Sequence, residues 1–283
     1  MVSIIIVNYK NPPLLRLCLN SLHRALSADF DYEVVVVDSS TSLETEYVVT
    51  EEFKNKFKEI RHIPFTENTW YTRGINEGLK TAQGDYMLML NNDIVTLENS
   101  IEKLTDYLKN NPNVGLLGPQ LLNFDGSRQD SCFRFYTPLT VLYRRIGHLP
   151  FASRIIDHFL MRDADISKPT SVNWLMGSAF MTSRTVLNKV GLLDEKLVHY
   201  FSDVDWARRF WENGYRVVYY PDAKLYHYLG RKSKGKFGLF DILFNPATRL
   251  HVRDAVRYFQ KYGVKAPQIN LQNRVPLASN ANY

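Results

Sequence analysis

Residues 2–10 read VSIIIVNYK and residues 33–40 read EVVVVDSS. Each is a short β-branched run that stops at polar side chains: Asn8-Tyr9-Lys10 in the first, Asp38-Ser39-Ser40 in the second. Apolar runs without polar alternation fit strands covered on both faces, the pattern of a parallel sheet. Between them Pro12-Pro13 opens a stretch with Leu14, Leu15, Leu17, Cys18, Leu22 and Leu26 at helical spacing, and proline is tolerated in a first turn. The spacing predicts a strand, a helix and a second strand.

Outward from this unit the alternation continues. A helix is expected around 42–58, an extended piece near 60–65, a helix over about 70–81, the strand Tyr86–Leu90 behind Gly84-Asp85, and a helix near 98–110 closed by Asn110-Asn111-Pro112. The fold class is therefore α/β, a mostly parallel sheet with helices on both faces. From Gly115 to Pro138 short apolar runs are cut by Gly-Pro and Asp-Gly turns, and 139–170 is aromatic and basic without strand alternation. Regular structure returns at Ser178–Thr182, in helices at 183–190 and about 203–213, and in the strand Arg216–Tyr220. The tail after about 265 is expected to be poorly ordered.

Composition narrows the class. The chain has 283 residues, 45% hydrophobic and 23% charged, an ordinary globular balance with too few Gly and Pro for a low-complexity chain. Cys18 and Cys132 stand far apart without a CxxC, so neither a disulfide framework nor a zinc site is implied, and a reducing, cytoplasmic setting fits. The N-terminus lacks the pattern of a signal peptide, and no run approaches the roughly 18 apolar residues of a membrane span. With 35 Lys and Arg against 29 Asp and Glu the net charge is +6, which suits an anionic partner. Arg231, Lys232, Lys234 and Lys236, followed by the apolar stretch Phe237–Phe244, suggest peripheral contact with the anionic inner face of the plasma membrane; a solvated loop or a C-terminal helix packed on the domain reads equally well. No nucleic-acid-binding motif is present, and no nucleic-acid partner is expected.

In open α/β sheets ligands sit beyond the C-terminal strand ends, which makes Asn8 and Tyr9, Asp38, and Asn91-Asn92-Asp93 the candidate site. An oxygen ligand such as Asp93 suits Mg²⁺ or Mn²⁺ carrying substrate phosphates, while Asn-Asn-Asp serves equally as a turn and helix cap. Asp38 could bond a ribose hydroxyl or base edge, or form an Asx turn. Neither G-x-G-x-x-G nor G-x-x-x-x-G-K-[ST] occurs, which argues against dinucleotide dehydrogenases and P-loop enzymes.

Taken in order, the motifs resemble glycosyltransferase family 2, inverting nucleotide-sugar enzymes of the GT-A fold. They are VSIIIVNYK, VVVVD, Asn68-x-x-Tyr71-x-x-Gly74-x-Asn76-x-Gly78, Gly84-Asp85-Tyr86 through Asn91-Asn92-Asp93, Trp174-Leu-Met-Gly177, Gly191-Leu-Leu-Asp194-Glu195, Ser202-Asp203-Val-Asp205-Trp206, Gly214-Tyr215-Arg216, and Pro221 to His227. The resemblance covers roughly residues 2–230. It implies a GT-A domain over 1–230, with a nucleotide-sugar half at 1–115 and an acceptor half at 116–230, followed by a basic, amphipathic extension at 231–283.

By the same resemblance Asp93 holds a Mg²⁺ or Mn²⁺ ion, with Asn91 in place of the first acidic residue of the family's Asp-x-Asp. Asp203 is the general base, with Ser202 in place of a glutamate. His227 closes the metal site, or is structural. Asn8, Tyr9, Asp38, Arg73, Asn76, Asn91 and Asn92 bind the nucleoside diphosphate sugar; Trp174, Gly177 and Asp205 line the sugar pocket. Trp174 also reads as core, and the carboxylates of Asp203 and Asp205 as helix N-terminal charge. The stretch Asp125–Phe135 resembles rhamnosyltransferase-like members that act on surface-polysaccharide or lipid-linked glycan acceptors. The rival expectation is a non-catalytic nucleotide- or glycan-binding module, motivated by Asn91 and Ser202.

Overall fold

The computed structural model describes residues 1–144, 152–228, 244–267 and 269. Strand β1 (Val2–Tyr9) leads through helix α1 (Pro12–Ala25) to β2 (Tyr32–Ser39). Asn11 caps α1 by accepting from Leu14 N, and Leu15, Cys18, Leu19 and Leu22 form its buried stripe. Leu17 falls off that stripe and is 43% exposed. The expected second helix is shorter, α2 (Leu43–Tyr47), continued by a π turn over Val48–Glu52. Then follow β3 (Ile60–Pro64), α3 (Trp70–Thr81), β4 (Tyr86–Asn91), β5 (Ile94–Thr96) and α4 (Ser100–Asn110).

The second half is more regular than its turn residues suggest. It contains β6 (Val114–Leu122), β7 (Cys132–Phe133), α5 (Pro138–Tyr143), α6 (Ala152–Phe159), β8 (Thr170–Ser171), β9 (Trp174–Leu175) and β10 (Ala179–Ser183). Helices α7 (Arg184–Val190) and α8 (Ser202–Glu212), strand β11 (Arg216–His227) and helix α9 (Pro246–Tyr262) complete it.

The main sheet runs β3-β2-β1-β4-β10-β6-β11-β5, with β8 also on β11; β7 and β9 form a separate pair. Strands β3, β2, β1 and β4 are parallel, as are β6 and β11, while β10 is antiparallel to both neighbours and β5 is antiparallel to β11. The β-branched runs divide by residue parity. Val35 and Val37 join Ile5 in the core under α3, α7 and α8, whereas Val34 and Val36 join Ile4 and Ile6 in the core under α1 and α4. Covering both faces is what lets a strand omit polar residues.

Helix α9 packs on the first of these cores through Ala255 and Tyr258. The basic, amphipathic segment 231–243 and the tail from 270 lie outside the described residues. Among the described residues no helix is long and apolar enough to cross a membrane. Cys18 and Cys132 are free and buried, and burial pushes both thiols up to about 12.

Candidate active site

The C-terminal ends of β1, β2 and β4 lie side by side, with Asn8 in register with Asp38 and Val7 with Asn91. Asn92 Nδ2 donates to Asn8 Oδ1 at 2.6 Å, and Asn8 Nδ2 donates to Asp38 Oδ1 at 2.7 Å, so one side-chain relay ties the three ends. Asn8 and Asp38 are fully buried and form a floor. Tyr9, 46% exposed, and the partly exposed Asn91 and Asn92 form its rim.

Four residues around this end carry left-handed backbone: Lys10 (φ 48°), Ser40 (57°), Trp70 (57°) and Phe201 (61°). Such conformations cost about 1–3 kcal/mol each for non-glycine residues and persist where the surrounding structure over-determines the backbone.

Asp93 sits in the turn between β4 and β5, and the pairing of β5 with β11 brings His227 opposite Ile94. Asp93 Oδ1 lies 3.5 Å from His227 Nε2. The His227 Nδ1 is 2.9 Å from Gln129 Oε1, and burial pushes the imidazole down to about 4, which keeps the ring neutral. Among the described residues no cluster of three His, Cys, Asp or Glu is placed to hold a metal ion. Two protein ligands are nevertheless in keeping with a Mg²⁺-type site, where substrate phosphates and water supply the remaining oxygens.

Asp203 stands in the first turn of α8, directly after the strained Phe201-Ser202 step. Its Oδ1 accepts from Val204 N at 2.9 Å and its Oδ2 from Gly177 N at 3.1 Å. Burial pushes its carboxyl up to about 6, outweighing the backbone N–H groups that pull it down. Tyr71 packs beneath, donating to Gly177 O, and burial with the nearby Asp203 charge pushes its hydroxyl well above its ordinary value. Gly177 allows this approach, since a Cβ there would lie 2.7 Å from the Tyr71 hydroxyl. Asp203 opens on a cavity of about 90 Å³ walled by Tyr136, Trp174, His199, Tyr200 and His251. Trp174 is also core: its ring stacks on Phe133 at 4.3 Å and its Nε1 donates to Arg134 O at 2.8 Å.

Two expected site residues are engaged elsewhere. Asp205 is fully buried on α8, with Oδ2 taken by Arg209 Nε at 3.0 Å and Oδ1 by Lys261 Nζ at 2.7 Å and Tyr262 Oη at 2.8 Å. It anchors α9, and the cavity beside Asp203 is lined without it. Asn76 is spent on the 193–195 loop, donating to Leu193 O at 3.0 Å and Glu195 Oε1 at 2.9 Å while accepting from Leu193 N at 3.0 Å. Both Nδ2 protons are used and the residue is only 2% exposed, so its side chain is committed to this loop and is not open to a nucleotide. Arg73 pairs with Glu67 at 2.9 Å and lines a second cavity, of about 190 Å³, with Asn68, Thr69, Trp70 and Glu195, where Asn68 and Thr69 hydrogen-bond Ser39 at the end of β2. Ser202 is fully buried and its Oγ finds no hydrogen-bond partner among the described residues, so it gives Asp203 no support.

Sequence reading missed His199, His251, Tyr136 and the role of Tyr71. Only Tyr71 carried a signal, as the aromatic residue of the Asn68–Gly78 motif. Sequence reading also missed helix α9, although Asn245-Pro246 and Gly263 mark its ends, and its Asp254 Oδ2 accepts from His199 N at 3.2 Å and Tyr200 N at 3.1 Å, holding the cavity wall.

Comparison with known proteins bears on this arrangement. Residues 3–191 match glycosyl transferase family 2. The chain is 24% identical over 241 residues to the N-acetylglucosaminyl-diphospho-decaprenol L-rhamnosyltransferase of Mycobacterium tuberculosis, covering 81% of this chain and 76% of that one. It is 26% identical over 278 residues to the dTDP-rhamnosyl transferase RfbF of Shigella flexneri, covering 91% and 79%. Among solved structures, GalNAc-T7 with UDP, GalNAc and Mn²⁺ superposes with a TM-score of 0.65 at 15% identity, over 82% of this chain and 44% of that one. The mannosyltransferase PcManGT of Pyrobaculum calidifontis, with GDP-Man and Mn²⁺, superposes with a TM-score of 0.56 at 16% identity, over 93% and 75%. At these identities the superpositions speak to the GT-A fold.

Proposed function

The chain belongs to glycosyltransferase family 2, and on that premise we propose that it transfers a deoxyhexose, rhamnose foremost, from a nucleoside diphosphate sugar to a hydroxyl of a surface-polysaccharide or lipid-linked glycan, with inversion. The observation that carries the reading is Asp203. Its carboxylate is held by two backbone N–H groups at the mouth of an aromatic-walled cavity, with a proton affinity raised to about 6. A base must be ionised at neutral pH yet hold a proton well enough to take one from a hydroxyl, and a pKa near the working pH serves both needs. In the proposed step Asp203 accepts the proton of the acceptor hydroxyl, whose oxygen forms the new bond to the anomeric carbon while the nucleoside diphosphate leaves with the electrons of the broken bond. Aromatic walls suit the apolar faces of sugar rings.

Asp93 and His227 would hold a divalent cation, Mg²⁺ or Mn²⁺, whose chemistry is to neutralise charge on the departing diphosphate. Tyr9, Asn91 and Asn92 at the rim and Asp38 with Asn8 at the floor would receive the nucleoside. The rhamnosyl donor rests on the names of the two relatives and on the Asp125–Phe135 stretch.

A thermal-shift screen of nucleoside diphosphates and their sugars, with and without Mn²⁺ or Mg²⁺, tests the site on wild type and Asp93→Ala. A ligand at a hundred times its dissociation constant adds about 2.7 kcal/mol, a clear shift in melting temperature. Stabilisation by one nucleotide that needs metal and is lost in the variant is expected; no shift with any nucleotide would refute the donor assignment. Nucleotide binding without turnover across acceptors would instead favour the non-catalytic module.

A further inference from the structure

Gln129 belongs to the Asp125–Phe135 stretch, to which the transfer step assigns no role, yet it is one of the most completely bonded polar side chains near the site. It is 4% exposed. The hairpin that carries it is closed by the Leu122–Arg128 bridge and by Ser127, whose backbone N–H and hydroxyl both donate to Asp125 Oδ1. Gln129 N donates to Leu121 O at 2.8 Å, which aims the side chain at the end of β11.

There Gln129 Nε2 donates to the His227 backbone carbonyl at 2.7 Å and to Asn123 Oδ1 at 2.8 Å, while its Oε1 lies 2.9 Å from His227 Nδ1. The backbone carbonyl can only accept, so the amide orientation is decided: a flipped amide would set Oε1 against that carbonyl. Gln129 Oε1 is thus an acceptor, and the proton it accepts is the one on His227 Nδ1. A neutral imidazole protonated at Nδ1 presents a lone pair at Nε2, the atom that faces Asp93 Oδ1 at 3.5 Å. Two acceptor atoms aimed at each other across such a gap form an arrangement that a cation relieves.

We propose that Gln129 is the positioning residue of the cation site, fixing the ring plane and the Nδ1–H tautomer of His227 so that Nε2 is offered as a ligand beside Asp93. The proposal rests on the reading of Asp93 and His227 as cation ligands. Outer hydrogen-bond partners of a ligating histidine typically contribute 10–100-fold to metal affinity.

The test has two readouts, neither of which needs a sugar donor. Mn²⁺ alone is titrated into wild type, Asp93→Ala and Gln129→Met, and free ion is read by electron paramagnetic resonance. In parallel, ¹⁵N-histidine NMR of the metal-free protein reads which His227 nitrogen bears the proton, with His227→Ala assigning the signal. Expected are Mn²⁺ binding that Asp93→Ala abolishes, affinity about 10–100-fold weaker in Gln129→Met, and an Nδ1–H tautomer in wild type that is lost in that variant. Wild-type Mn²⁺ affinity in Gln129→Met would overturn the proposal and leave the cation site standing. Mn²⁺ binding indifferent to Asp93→Ala would remove the cation site and the proposal together. An Nε2–H tautomer in the wild type would refute it even if Gln129→Met failed to fold.

Discussion

Replacing Asp203 with Asn should make the protein more stable, by an amount that depends on pH in a calculable way. The folded state lifts the carboxyl from 3.8 to about 6, so the folded protein binds this proton more tightly than the unfolded chain does. Stability therefore falls as pH rises through this window, because ionising the group is easier once the chain is unfolded. Two units at about 1.36 kcal/mol each give a penalty of about 3 kcal/mol, fully developed above pH 7 and absent below pH 3.8. At pH 5 the same two pKa values leave about 1.6 kcal/mol of it in force. Asn avoids the penalty but turns an amide N–H toward one of the two donors Gly177 N and Val204 N, which costs about 1 kcal/mol at every pH.

The net gain of Asp203→Asn should therefore be near 2 kcal/mol at pH 8, and its pH-dependent part should shrink by about 1.4 kcal/mol on going to pH 5. Urea unfolding of both proteins at pH 5, 6, 7 and 8, followed by circular dichroism, measures this directly. A difference between the two proteins that stays flat across the range would show that Asp203 is not held in a proton-retaining environment, and the argument for it as the base would lose its physical basis.

Other outcomes follow from neighbouring contacts. With Asp203 as the base, transfer activity at saturating donor should fall about tenfold between pH 7 and pH 5, as a group of pKa about 6 is protonated, and Asp203→Asn should lose turnover while keeping donor affinity. Pre-steady-state transfer and nucleotide titration separate the two effects. Gly177→Ala should cost about 1–3 kcal/mol, since its Cβ would meet the Tyr71 hydroxyl at 2.7 Å; combined with Tyr71→Phe, which removes that hydroxyl, the cost should be less than the sum of the single variants in a thermal-melt cycle. Asp205→Ala strips the buried carboxylate from Arg209, Lys261 and Tyr262 and should destabilise by about 3–5 kcal/mol. Hydrogen exchange should then show α9 opening ahead of the parallel sheet.

The division between what was legible in residues 1–283 and what was not follows the range of the interactions. The runs at 2–7 and 33–37 announce buried parallel strands because a strand covered on both faces has no need of polar alternation, and their polar ends mark a candidate site because ligands of open α/β sheets sit beyond the C-terminal strand ends. Asp93 stood out as a candidate for a related reason, following closely on the apolar strand Tyr86–Leu90, whereas Asp203 was indicated only by the resemblance of the Ser202–Trp206 motif. The role of Asp205 was not readable. It lies two residues from Asp203, but a helix turns about 100° per residue, so the two carboxylates face different neighbours, and the neighbours of Asp205 are Lys261 and Tyr262 of α9.

Asn76 fits a family pattern and clamps a loop more than a hundred residues on, while Gln129 looks like turn residue and filler until β11 brings His227 beside it. The sequence by itself determined the layered α/β fold and singled out the strand ends that form the candidate site, because periodicity and strand-end polarity are local properties of the chain. That Asp203 borders a cavity, that Asp205 is spent as an anchor, and that Gln129 meets His227 were decided by the tertiary structure, because burial and hydrogen-bond partners belong to contacts between distant segments.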